Sequence, residues 1–138
     1  MKTLSLKATH NTPRIYFSPS ENRFEIMGKS APEDVRGLYY PVIAWVNEFI
    51  KETKSNNPFT RENPLILSLD LDYFNSSSAK FLYDIITGLK ELKAGGVPLI
   101  VEWHYEHDDS DLREAGEDMA VLSQIEFKFC PEEREKER

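Results

Sequence analysis

Residues Leu65 to Leu92 read LILSLDLDYFNSSSAKFLYDIITGLKEL, and a change of period inside this stretch decides the fold. Leu65, Leu67, Leu69, Leu71 and Tyr73 alternate with Ser68, Asp70 and Asp72, the two-residue repeat of a strand with one apolar face. Further on, the apolar residues fall at Leu82, Ile85, Ile86, Leu89 and Leu92, the single buried stripe of a helix. Between the two lies Asn75-Ser76-Ser77-Ser78, where strand becomes helix. A helix start carries backbone N–H groups without partners and the positive end of the macrodipole, so it favours a negative group. This corner is the candidate functional site, and the rest of the chain is its scaffold.

Upstream, Met1 to Pro13 show no clear period and read as a loosely held arm. Arg14–Ser18 and Arg23–Met27 alternate around Pro19-Ser20-Glu21-Asn22, which predicts a β-hairpin closed by Gly28. Ser30-Ala31-Pro32-Glu33 has the S-x-x-E spacing of a capping box. A helical stripe follows through Val35, Leu38, Tyr39, Val42, Ile43, Val46, Phe49 and Ile50. Pro41 lies within it and removes a backbone donor, so a short turn up to Tyr40 and a main helix from Pro41 to Lys54 are expected. Downstream, Gly95-Gly96 ends the second helix. Val97–Glu106 alternates as a strand, Ser110 or Asp111 caps a weaker helix through Leu122, and Ile125–Phe129 forms a last strand. Pro131–Arg138 reads as a solvated charged tail.

The expected order is β-β-α-β-α-β-α-β. Strand–helix–strand repeats imply right-handed crossovers and parallel pairing after the opening hairpin. Most strands have one apolar and one polar face, so the helices are expected mainly on one side of a mixed sheet, a two-layer α/β domain. No repeat or linker divides the chain, which reads as one domain over residues 1–138 with its core at about 12–129.

At 138 residues the chain is long enough for one core, and its net charge of −7 argues against nucleic acid and anionic membranes as partners. Cys130 is the single cysteine, which excludes an intramolecular disulfide and a multi-cysteine metal site. The first ten residues lack the apolar core of a signal peptide, and no apolar run spans a bilayer. A cytoplasmic setting is expected.

Several groups bear on chemistry. Serine and asparagine are preferred N-caps, each contributing about 1 kcal/mol, so the serine run has a purely structural reading. In the functional reading one hydroxyl accepts a phosphoryl group, which adds about −1.5 to −2 charges that a helix start tolerates. Lys80 on the first turn is placed to help neutralise it. Asp70 and Asp72 form a D-x-D at a strand end, the arrangement of a Mg²⁺-dependent phosphohydrolase, and Asp108-Asp109 follow a later strand. Against that reading, Tyr73-Phe74 are bulky where such a loop needs glycine. Glu102, His104 and Glu106 share a strand face, with His107 and Asp108 beyond; such a row can hold a divalent metal, and it also serves as a hydrated strand face. No metal or cofactor is assigned. Trp45 and Trp103 fall in apolar phase and belong to the core, while Cys130 and His10 show no partner pattern.

Three segments, SAPEDVRGLYYPVIAWV, LDLDYFNSSSAKFLYDI and VEWHYEHDDSDLREAGEDM, together resemble the SiaC family of biofilm-regulating phosphoproteins, over about Thr12 to Phe129. Hydroxyl residues at a strand-to-helix corner also resemble the STAS domains of anti-sigma-factor antagonists. The resemblance implies a non-catalytic partner-switching protein of bacterial signal transduction. A Ser/Thr protein kinase would phosphorylate it and a metal-dependent protein phosphatase would restore it. The unphosphorylated form would bind a downstream effector such as a diguanylate cyclase making cyclic di-GMP. In the family pattern the acceptor directly follows the asparagine, which implies Ser76, with Ser77 as the fallback. Tyr73, Phe74, Asn75, Ser77, Ser78 and Lys80 are then the expected partner-binding residues.

Overall fold

The computed structural model describes residues 1–133. Strands β1 (Leu4–Leu6), β2 (Arg14–Ser18) and β3 (Arg23–Ser30) come first, then helix α1 (Val35–Ser55). β4 (Leu65–Phe74), α2 (Ser76–Ala94), β5 (Leu99–Glu106), α3 (Ser110–Ser123) and β6 (Phe127–Glu132) complete the chain. The six strands lie side by side in chain order, antiparallel from β1 to β3 and parallel from β3 to β6. Register builds rows across the sheet. Phe17, Phe24, Leu67, Val101 and Phe127 form one inner row, and Ile15, Ile26, Leu69, Trp103 and Phe129 form the next. These rows meet the apolar stripes of the three helices in one core. The opposite face carries polar rows such as Tyr16, Glu25, Ser68, Glu102 and Lys128.

The structure corrects the expected order at its start: the N-terminal arm contains β1, so the order is β-β-β-α-β-α-β-α-β. Leu4 and Leu6 pair opposite Phe17 and Ile15 and pack on the core, and the Trp45 indole donates to the Lys2 carbonyl at 2.9 Å. Three residues are too few to show a period. The expected capping box is also replaced. Ser30 is the buried last residue of β3, and Asp34 caps α1 by accepting from the Gly37 N–H at 3.0 Å. Helix α1 runs through Pro41 without a break. Tyr39 on one side of the proline and Val42, Val46, Phe49 and Ile50 on the other are all buried. At about 1.5–3 kcal/mol per buried side chain, that stripe outweighs the ~3 kcal/mol cost of an internal proline. At the other end, β6 continues to Glu132, past the expected limit at Phe129. Pro131 and Glu132 are therefore strand residues rather than tail, and residues 134–138 of the expected tail lie outside the described residues.

A β-bulge redirects the end of β4. Gly28 pairs with Leu71 but Lys29 pairs with Tyr73, so Asp72 is the extra residue. Gly28 has φ +112°, a conformation that side chains rarely adopt. The inserted residue shifts the phase of the strand. Leu71 is buried, Tyr73 is 52% exposed, and Phe74 turns inward to meet the Trp103 ring edge-on at 5.9 Å. Tyr73 therefore does not share the face of the leucines, as simple alternation predicted.

Trp103 explains a glycine. Its indole donates to the Leu112 carbonyl at 3.0 Å, and a Cβ on Gly116 would sit 2.5 Å from the indole nitrogen. Alanine would gain up to about 1 kcal/mol of helix propensity, but Trp103 is 1% exposed and has no room to yield. Gly116→Ala is expected to lower the unfolding free energy by about 1–3 kcal/mol, measured by urea denaturation.

Candidate functional site at the strand-to-helix corner

The corner is built by the last residues of β3 and β4 and the first turn of α2. Asn75 caps the helix: its side-chain oxygen accepts from the Ser78 N–H at 2.9 Å and from the Ser77 hydroxyl at 3.1 Å. The Ser30 carbonyl accepts twice, from the Asn75 N–H at 3.0 Å and from the Ser78 hydroxyl at 3.0 Å. The Ser30 hydroxyl donates to Ser78 Oγ at 2.8 Å and lies 2.6 Å from the Tyr39 hydroxyl. With the Ser30 proton committed to Ser78, Tyr39 must donate to Ser30. Burial pushes the Tyr39 phenol above its ordinary value, partly opposed by the hydrogen bonds to Ser30 and Ser78, so it stays protonated as that chain of donors requires. Tyr39 also stacks on Phe81 at 5.4 Å. Three hydroxyls thus tie α1, β3 and the start of α2 together.

The expected site residues separate into two groups. Ser76 and Ser77 occupy the first two positions of α2 and are exposed; their N–H groups have no acceptor within the helix, as at any helix start. Ser78 is fully buried. The expectation that Ser78 contacts a partner is therefore corrected: its hydroxyl belongs to the interior chain of bonds. Asn75 is half-buried as the cap. Lys80 is exposed, but its ammonium lies 2.8 Å from Asp84 and 5.2 Å from the centre of the Phe81 ring, directed along the helix. Tyr73 and Phe74 line a cleft of about 360 Å³ with Asp72, Asp109, Asp111, Leu112 and Ala115. The last four come from the β5–α3 junction, which sequence reasoning did not join to the corner. Parallel pairing was the available signal, because it brings the C-terminal ends of adjacent strands, and the loops after them, to one edge.

Asp70 and Asp72 do not share a site. Asp72 lines the cleft, whereas Asp70 lies on the open sheet face, with a carboxylate oxygen within 4.8 Å of ligand atoms of His104 and Glu132. The row Glu102, His104 and Glu106 also divides. Glu102 and His104 group with Cys130, while Glu106 groups with His107 and Asp108. The His104 ring is held between two carboxylates, with Nδ1 2.8 Å from Glu132 and Nε2 3.0 Å from Glu102. Burial alone would lower its pKa, but the bonds to Glu132 and Glu102 and the charges of Glu132 and Asp70 raise it above the ordinary value. Burial and then the Glu102 charge push the Cys130 thiol up.

A profile of the SiaC family regulatory phosphoproteins matches residues 6–132. The chain belongs to the SiaC family. An uncharacterised protein of Pseudomonas aeruginosa (strain UCBPP-PA14) is 33% identical over 118 residues, which span 86% of this chain and 87% of that protein. Apo-SiaC from Pseudomonas aeruginosa superposes with a TM-score of 0.78 at 32% identity, over 94% of this chain and 99% of that one. SiaC in complex with the diguanylate cyclase SiaD, which it activates, gives a TM-score of 0.80 at 30% identity, again over 94% and 99%. These SiaC structures share the mixed six-stranded sheet with three helices. For this SiaC-family chain the corner predicts unequal costs within one turn. Ser78→Ala removes a buried hydrogen-bonding group and is expected to cost about 1–3 kcal/mol. Asn75→Ala should cost about 0.5–2 kcal/mol, and Ser77→Ala less than about 0.5 kcal/mol. Chemical denaturation of the three variants checks that ranking.

Proposed function

We propose that this protein is a non-catalytic regulatory switch whose output is set by phosphorylation of Ser76. A Ser/Thr protein kinase adds the group, a metal-dependent protein phosphatase removes it, and the unphosphorylated form binds and regulates a signalling partner. A diguanylate cyclase or a similar effector is the proposed partner, by analogy with the SiaC–SiaD complex of Pseudomonas aeruginosa. The observation that carries this reading is the contrast inside one helical turn. Ser76 is exposed at the first position of α2; Ser77 is exposed with its hydroxyl bonded to Asn75; Ser78 is sealed in the interior. Hydroxyl residues at such a corner support reading the domain as STAS-like. A cytoplasmic setting goes with this proposal, since the kinase would draw on ATP.

The physics of the switch is local. A phosphoryl group on Ser76 brings about −1.5 to −2 charges to the N–H groups of the first turn, where the helix dipole favours an anion by about 0.3–1 kcal/mol. The fold keeps its bonds, because the capping oxygen of Asn75 and the hydroxyls of Ser78, Ser30 and Tyr39 are not consumed. A partner docking over the corner meets new bulk and charge beside a cleft that already carries Asp72, Asp109 and Asp111. Tyr73 and Phe74 supply its apolar contact, with Asn75 and Ser77 at the edge and Lys80 one helical turn on.

Phosphopeptide mapping of the protein isolated from its own cells is expected to place the phosphate on Ser76, and Ser76→Ala should abolish it while leaving the fold intact. Phosphoserine introduced at position 76 by codon reassignment should weaken binding to the effector cyclase by at least tenfold, about 1.4 kcal/mol. Ser76→Asp should fall between the two states, having less charge than phosphate. Phosphate found on Ser78, or equal affinity of the modified and unmodified proteins, contradicts this function.

A further inference from the structure

On the open face of the sheet, remote in sequence from the serine corner, β5 and β6 bring together a set of donors that no local motif announces. Parallel register places His104 opposite Cys130. Glu102, two residues before His104 on the same strand, points to the same face. One ligand atom each from Glu102, His104 and Cys130 lie within 4.8 Å of one another, and all three residues are half-buried. Within the set, His104 Nε2 and Glu102 Oε1 are separated by 3.0 Å. Tetrahedral zinc holds its nitrogen, oxygen and sulfur ligands about 2.0–2.3 Å away, hence about 3.3–3.8 Å from each other.

We propose that Glu102, His104 and Cys130 form a Zn²⁺ site that clamps β6 to β5. Glu132 is its positioning residue: it faces His104 Nδ1 at 2.8 Å, and a carboxylate on the Nδ1–H fixes the tautomer that aims the Nε2 lone pair at a metal. Without a metal both ring nitrogens face carboxylates, an arrangement satisfied by a proton on each. A divalent ion replaces the Nε2 proton and meets the same negative charge. On binding, the ring releases that proton and the thiol releases its own to solvent, while Zn–N, Zn–S and Zn–O bonds form. The mixed donor set selects the metal, since thiolate and imidazole suit zinc whereas magnesium and calcium take oxygen ligands. Three protein ligands leave a fourth position for water. A competing all-hard set, Asp70, His104 and Glu132, is also within 4.8 Å. It lacks the sulfur and would occupy Nδ1, so the two arrangements are distinguishable.

Titration of the full-length, metal-stripped protein with Co²⁺ and with Zn²⁺ tests the site. One cobalt per chain is expected, with a thiolate-to-cobalt charge-transfer band in the near ultraviolet that one equivalent of Zn²⁺ abolishes. Cys130→Ser should lose the band, and Cys130→Ser and His104→Gln should each weaken zinc binding at least about tenfold. His107→Gln should leave the band and the affinity unchanged, and Asp70→Asn should keep the band. Far-ultraviolet circular dichroism verifies the fold of each variant, and Cys130→Ser decides alone if His104→Gln does not fold. Absence of stoichiometric binding overturns the site. So does zinc affinity undiminished in Cys130→Ser, or loss of the cobalt band in Asp70→Asn or His107→Gln.

Discussion

One carbonyl, that of Ser30, holds the strand-to-helix corner in register. It accepts the N–H of Asn75 and the hydroxyl of Ser78 at 3.0 Å each, so the last residue of β3 grips both the cap and the third residue of α2. A buried carbonyl left without partners costs about 1–3 kcal/mol, which makes this grip specific as well as stabilising. It follows the bulge at Asp72 directly, where the strand has already slipped by one residue against β3. With the slip and the grip together, the chain leaves the sheet so that Ser78 faces inward and Ser76 faces water.

The same geometry separates stability from signalling. Bonds that determine whether α2 starts correctly run through Asn75, Ser78, Ser30 and Tyr39, all on the inner side of the corner. The exposed groups lie on the outer side: Ser76, Ser77 and Tyr73, with the acidic cleft beside them. A charge placed on the outer side changes the surface potential within a Debye length, about 8–10 Å at ordinary salt, without drawing on the inner bonds. Under the proposed switch, this division would let a phosphoryl group on Ser76 alter binding while leaving folding alone.

Much of this was readable from residues alone, and the exceptions have definite causes. Leu65–Leu92 declared both its elements because ten residues of strand and nineteen of helix each carry several repeats of their period. The three residues of β1 carry none. Tyr73 was assigned to the wrong face because alternation assumes an unbroken ladder, and the bulge opposite Gly28 depends on pairing with a distant strand. Ser30 looked like a cap because its spacing to Glu33 is local, whereas its actual partners, Tyr39 and Ser78, are brought by tertiary packing. Cys130 showed no pattern for the same reason: its neighbours Glu102 and His104 come from the adjacent strand. The acidic cleft went unseen because its far wall belongs to α3.

The central claim is that modification of Ser76 acts through surface charge on an unchanged fold. Backbone amide NMR of the protein carrying phosphoserine at position 76, compared with the unmodified chain, tests it most directly. Shift changes confined to the first turn of α2, the end of β4 and the cleft, with the Trp45 indole and the β2 amides unmoved, are the predicted result. Changes that spread through Trp45 and the inner rows of the sheet, or loss of signal dispersion, would contradict it.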